Sequence, residues 1–199
     1  MPRHGRVTST HVKQILFSKN QGKTAEDIIK PKNISHLKHV SQGIRDEKLG
    51  ADFLLQMLAT DGVEAVAYPV GFVTHSEHSW LGATPDRLLQ MPDGSWCCVE
   101  VKSWYVTEKQ KSLRDLPYLD CAGALRKSHS HYYQVQTAML VTGLDFCYFV
   151  VSGQFSSFQV IKKDAPVCQE ILERFKPFYF GLLLPLVKQT IKEDLEVDS

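Results

Sequence analysis

Thr84-Pro85-Asp86-Arg87-Leu88-Leu89-Gln90-Met91-Pro92-Asp93-Gly94-Ser95-Trp96-Cys97-Cys98-Val99-Glu100-Val101-Lys102 is the stretch that decides the fold. Met91–Ser95 brings Pro, Asp and Gly together, the chemistry of a tight turn, between two runs rich in Leu, Val, Cys and Trp. The pattern predicts a β-hairpin with strands over 80–90 and 96–104. Side chains alternate across a strand, so Glu100 and Lys102 share one face and Val99 and Val101 the other. A fold at residues 92–94 can bring Asp86 near Glu100, with a bulge or splay fixing the register.

Two carboxylates and an ammonium on one sheet face call for a reason, because adjacent carboxylates repel and burial favours their neutral form. A divalent cation removes the conflict. Mg²⁺ takes oxygen ligands, often one or two carboxylates with waters and phosphate oxygens, and the Val101 carbonyl could serve as well. Lys102 could orient or help deprotonate a metal-bound water. These are the parts of phosphodiester hydrolysis. The competing reading is an exposed strand with alternating charges, and Asp-(x)13-Glu-x-Lys alone does not decide between the two.

Working outward, residues 66–74 also read as a strand, and 145–152 and 156–162 as a pair broken at Ser152-Gly153-Gln154. Helices are expected at 8–17, capped by Thr8 or Ser9, at 44–60, at 129–142, and at 165–192 with breaks at Pro177 and Pro185. In the second helix Leu49, Phe53 and Met57 recur every four positions, widened by Leu54 and Leu58, and Asp61-Gly62 ends it. Residues 18–32 suggest a loop with a short helix, and 105–128 are polar and irregular. The order makes an α/β chain with a mixed central sheet flanked by helices.

The 199 residues are 43% apolar and 23% charged, enough for one domain with a sizeable core and against wholesale disorder. No run approaches the roughly 20 apolar residues of a membrane span. The polar, basic start is expected to be neither a secretory signal nor an anchor. Residues 1–48 carry a net charge of +6 and the rest −5, so a local anion-binding face is possible beside the plainer reading of a solvated surface. Cys97, Cys98, Cys121, Cys147 and Cys168 form no Cys-x-x-Cys pair and are odd in number, which suggests an intracellular, reducing compartment. His75 and His78, or His129 and His131, do not have zinc-ligand spacing with any Cys.

Two further positions bear on the site. Glu47 shares a helix face with Ala51, Leu54 and Leu58, as a first-turn acid or a ligand would. Gln134 lies one turn from Ala138 and two from Val141, placing an amide beside an inward face.

Four ordered blocks together resemble the PD-(D/E)xK nuclease superfamily and, within it, the lambda-type exonucleases, or YqaJ-like viral recombinases. Arg3-His4-Gly5-Arg6-Val7-Thr8-Ser9-Thr10 is similar to the family's opening that holds a DNA-end phosphate. Gly43-Ile44-Arg45-Asp46-Glu47 resembles the start of its first core helix. Trp80-Leu81-Gly82-Ala83-Thr84-Pro85-Asp86 with Val99-Glu100-Val101-Lys102 resembles its Pro-Asp and Glu-x-Lys segments, and Tyr132-Tyr133-Gln134-Val135-Gln136 its Tyr-x-Gln-x-Gln helix. Arg87 stands where the family usually has Gly, and Ser103-Trp104 where it has Cys-Pro.

The resemblance implies a restriction-endonuclease-like core in a single nuclease domain over 1–199. A basic end-binding part would cover 1–43, a catalytic core 44–165 and a C-terminal helix 166–199. It implies an Mg²⁺- or Mn²⁺-dependent deoxyribonuclease acting on double-stranded DNA ends, 5′ to 3′, for recombination or repair. Asp86, Glu100, the Val101 carbonyl and Glu47 would hold the metal, with Lys102 acting on the water and Gln134 as the active-site amide. Arg3, Arg6 and Thr10 would bind the end phosphate, with Gln136 and Arg87 secondary. A single-strand annealing or recombination protein and a homo-oligomer are implied partners. A structure-specific or nicking endonuclease of the same superfamily, or a module that binds DNA ends without cutting, are the alternatives.

Overall fold

The computed structural model describes residues 5–29, 38–107 and 109–197, with side chains left out at 38–44 and 194–197. Its centre is β6 (Trp96–Ser103), buried on both faces from Cys97 to Val101. A continuous apolar run such as Cys97-Cys98-Val99 suits a strand covered on both sides. On one side β6 pairs antiparallel with β5 (Arg87–Gln90), and β5 with β2 (Val66–Tyr68). On the other side β6 runs parallel to β7 (Phe146–Ser152), which turns back into β8 (Ser157–Lys162). The five-stranded mixed sheet has the order β2-β5-β6-β7-β8. A parallel pair needs a long crossover, and residues 104–145 supply it through α4 (Ser130–Thr142).

The hairpin expected at 91–95 is present. The Met91 amide donates to the Ser95 carbonyl (2.9 Å), Asp93 Oδ1 accepts from the Ser95 amide, and Gly94 adopts φ 83°. The strands expected at 66–74 and 80–90 each break in two. Pro69 and Pro85 cannot donate to a ladder, and the chain changes sheets beside each. A second sheet, order β1-β4-β3, joins β1 (Val7–Thr8), β3 (Val73–Thr74) and β4 (Leu81–Ala83). Its β1–β4 pair is parallel and ties the N-terminal block to the segment leading into Asp86.

Two layers of helix enclose the five-stranded sheet. α3 (Lys38–Thr60) covers the face carrying Val99, Val101, Tyr148 and Val150 with Leu54 and Leu58. It starts earlier than expected, and its buried stripe is rotated: Leu49 is 55% exposed, while Gly50, Ala51, Leu54 and Leu58 face inward. Gly50 explains the rotation, since a Cβ there would lie 2.5 Å from Val101 Cγ1, so the helix backbone rests directly on the strand. α4 covers the opposite face, where Cys98, Cys147, Phe149 and Val151 meet Val135, Ala138 and Met139. His129 caps it by accepting from the His131 amide, and Gly143 at φ 75° ends it.

The region expected to be helical from 8 to 17 opens with a 3₁₀ turn, Ser9–His11, before α1 (Val12–Phe17). α2 (Gln21–Ile29) follows. From Ala165 to Val197 the chain is helical throughout. α5 (Ala165–Phe178) accommodates Pro177, a π turn spans Tyr179–Leu183, and α6 (Leu184–Val197) accommodates Pro185. None of the five cysteines is in a disulfide, and only Cys121 is exposed. Among the described residues no helix is long and apolar enough to cross a membrane.

Candidate active site

Asp86 sits between the two sheets, just before β5. Its amide donates to the Val99 carbonyl (3.1 Å), and its Oδ2 accepts from the Val101 amide (2.7 Å). The N–H and C=O of one strand residue point to the same side, so the Val101 carbonyl also faces Asp86, beyond the Arg87–Val99 pair that ends the ladder. Glu100 is 3% exposed on the face covered by α4. Its Oε1 accepts from Lys102 Nζ (2.5 Å) and from Gln134 Nε2 (2.6 Å). The alternation of β6 puts Glu100 and Lys102 side by side, and the inward face of α4 aims Gln134 at them.

The charges show how strained this arrangement is electrostatically. Burial, then the neighbouring Glu100 and Glu47, push the Asp86 carboxyl up to about 8, despite the Val101 amide and Lys102 acting the other way. Glu47, half-buried on α3, is also raised. Burial is the main cause and Glu100 adds to it, while Arg87 and Lys102 oppose it. For Lys102 burial works to lower the pKa. Glu100, both by charge and by its hydrogen bond, then Asp86 and Glu47, outweigh it, and the net shift is upward. Lys102 is therefore a held ammonium, suited to orienting water and stabilising negative charge rather than to removing a proton.

The structure thus brings Asp86, Glu100, the Val101 carbonyl, Lys102 and Gln134 together, with Glu47 and Arg87 in electrostatic reach. Arg87 Nη1 donates to the Asp86 carbonyl (2.5 Å). Arg6 Nε donates to the Ser79 carbonyl (2.8 Å), and Thr10 is exposed with its hydroxyl 2.7 Å from that of Thr8. Both flank β1, next to β4, whereas Arg3 lies outside the described residues. Gln136 belongs elsewhere: it is fully buried, donates to the Lys162 carbonyl (3.0 Å) and accepts from the Asp164 amide (2.8 Å), joining α4 to the start of α5. Among the described residues no three His, Cys, Asp or Glu side chains converge as a metal-holding group.

Two features escaped the sequence reading. Tyr105 donates its hydroxyl to Asp46, the buried residue preceding Glu47, and so pins α3 to the chain leaving β6. His129 and His131 form a ring pair at the start of α4, and burial, followed by the charges of Lys13 and Lys102, depresses both imidazoles. Neither was legible, because each depends on pairing residues far apart in sequence.

Known structures share this architecture. An alkaline exonuclease (LHK-Exo) from Laribacter hongkongensis superposes with a TM-score of 0.69 at 18% identity, covering 98% of this chain and 96% of that one. The structure of LHK-Exo in complex with dAMP gives 0.65 at 17% identity, with the same coverage of both chains. Among curated proteins none matches the sequence. The YqaJ-like viral recombinase domain matches residues 2–145, which contain β1, α3, the hairpin and all of α4 with its Gln134. With these elements and that match over most of its length, the chain belongs to the YqaJ-like viral recombinase domain family.

Proposed function

We propose that this protein is a divalent-metal-dependent DNA exonuclease that hydrolyses phosphodiesters from duplex ends, 5′ to 3′, and serves recombination or repair. The observation that carries the reading is the pairing of Glu100 with both Lys102 and Gln134, beside an Asp86 carboxyl whose pKa is raised by burial and then by neighbouring carboxylates. The relatives support it: the neighbouring structures are of an alkaline exonuclease, one of them in complex with dAMP.

The donor set fits a hard cation. Among the described residues, Asp86 Oδ1 and Glu100 Oε2 accept no hydrogen bond, the Val101 carbonyl faces the same side as Asp86, and the charges of Glu100 and Glu47 add to the burial that raises Asp86. Asp86, Glu100 and the Val101 carbonyl, with Glu47, would hold Mg²⁺ or Mn²⁺, which supplies an acidified water and neutralises charge on the phosphate. Lys102 orients the attacking water and faces the charge that builds on the phosphate. Gln134 fixes the orientation of Glu100. Arg3, Arg6 and Thr10 hold the end phosphate, and Arg87 adds positive charge near Glu47. A single-strand annealing or recombination protein and further copies of the chain are the partners this activity implies.

The test is digestion of a 5′-phosphorylated linear duplex next to a covalently closed circle. Mg²⁺-dependent release of mononucleotides from the linear substrate, abolished by EDTA, with the circle intact, is the expected result. Cleavage of the circle favours an endonuclease, and tight end-binding without hydrolysis favours a non-cutting module.

A further inference from the structure

His131 lies one turn before Gln134 on the same face of α4, above the β7 residue that pairs with Glu100. That residue is Phe149, whose ring centroid is 6.4 Å from the His131 ring. The His129 ring is 4.5 Å from His131. Tyr118, from the irregular crossover, closes the group at 5.0 Å from His131, 5.8 Å from His129 and 6.1 Å from Phe149.

Three facts set this group apart from ordinary core packing. Tyr118 is 8% exposed, and its buried hydroxyl has no hydrogen-bond partner among the described residues. Such a group is costly unless something else satisfies it. Second, His129 Nδ1 accepts the His131 amide, so in the neutral ring the proton sits on Nε2 and leaves an N–H donor. Third, the charges acting on both rings, those of Lys102 and Lys13, are positive. Donors and cations therefore collect at the N-terminus of a 13-residue helix, next to Glu100, Lys102 and Gln134.

We propose that Tyr118, His129, His131 and Lys13 form a phosphate-binding wall beside the candidate active site, which receives a phosphodiester of the strand entering it. The identity of the polyanion rests on the nuclease reading, whereas the phosphate chemistry does not. Neutral imidazole N–H groups would donate to the phosphate oxygens, Lys13 would supply the charge, and the Tyr118 hydroxyl, enclosed in the free protein, would join them once its ring turns outward. The wall is built from the crossover as well as from α4, so it gives residues 116–131 a substrate-facing role.

The test uses the full chain with Lys13→Gln, His129→Asn and Tyr118→Phe. Asparagine can retain the helix cap, Lys13→Gln exchanges the ammonium for a shorter, uncharged amide, and Tyr118→Phe removes the hydroxyl. Binding to a fluorescent 5′-phosphorylated duplex is read by anisotropy in EDTA across a salt series, and inorganic phosphate is titrated separately by ³¹P line broadening. Lys13→Gln is expected to weaken duplex binding by about tenfold and to lower the salt slope by about one. His129→Asn and Tyr118→Phe are expected to weaken it severalfold, with KM rising more than kcat falls. Loss of phosphate broadening with duplex binding unchanged assigns the wall to free phosphate rather than to the strand. Variants that are folded and bind both ligands as the wild type does overturn the inference. If the wild type releases no nucleotide with Mg²⁺ yet the variants still lose phosphate, the nuclease reading fails and the wall stands.

Discussion

Lys102→Met is expected to lower the rate of duplex digestion by about 10²–10⁴-fold, the range seen when a charge-stabilising or proton-managing group is removed. Methionine keeps the length of the stem and removes only the ammonium. In the structure that ammonium is held on Glu100 Oε1 and drawn further by Asp86 and Glu47. It is therefore positioned before substrate arrives, and its loss falls on the chemical step more than on binding. Gln134 still donates to Glu100, so the carboxylate keeps one partner. Steady-state digestion of an end-labelled duplex, with circular dichroism to confirm folding, measures the effect. Wild-type kcat in the folded variant would remove Lys102 from the chemistry.

The second large effect concerns stability. The Asp86 carboxyl has a pKa of about 8 in the folded chain against 3.8 for the unperturbed side chain. Between those values the folded state holds a proton that the unfolded state lacks. Stability therefore falls as pH rises from about 4 to about 8, and the contribution present at low pH is gone above that window. The upward shift of Glu47 acts in the same direction. In EDTA, the wild type is expected to lose on the order of a few kcal/mol across the window. Asp86→Asn should flatten most of that slope and be the more stable protein at pH 8, while losing activity. Mg²⁺ favours the deprotonated carboxylates and should restore wild-type stability most strongly at alkaline pH, but not that of the variant. Urea midpoints across pH, with and without metal, give the comparison. Parallel pH slopes for wild type and Asp86→Asn would contradict it.

An acid kept protonated at neutrality by burial and by like-charged neighbours is a cost to the fold. Such costs concentrate where a site needs charges that it cannot balance alone. The same logic applies to the Tyr118 hydroxyl, which is buried without a partner among the described residues and is tolerable if a ligand completes it.

How far the sequence could be read follows from the range of each interaction. The hairpin was legible because its turn chemistry at Met91–Ser95 and the alternation of β6 are local. The placement of Glu100 with Lys102, and the inward Gln134, followed from period two and period 3.6 alone. The split of the strands between two sheets was not legible. Pro69 and Pro85 mark where a ladder stops, but the parallel pairing of β1 with β4 joins residues more than seventy apart. The stripe of α3 differs from the four-residue spacing at Leu49, because the close approach of Gly50 to Val101 turns the helix and leaves no periodic signal. Tyr105 on Asp46, and Tyr118 among the histidines, come from a crossover with no pattern, so only the folded chain places them.

Whether Asp86 and Glu100 share a hard cation beside Lys102 is decided by crystals grown with Mn²⁺ and measured at its absorption edge. An anomalous peak within bonding distance of both carboxylates and the Val101 carbonyl, weakened or lost in Asp86→Asn, is the expected result. A peak bonded elsewhere, or one that persists unchanged without the Asp86 carboxylate, would contradict it.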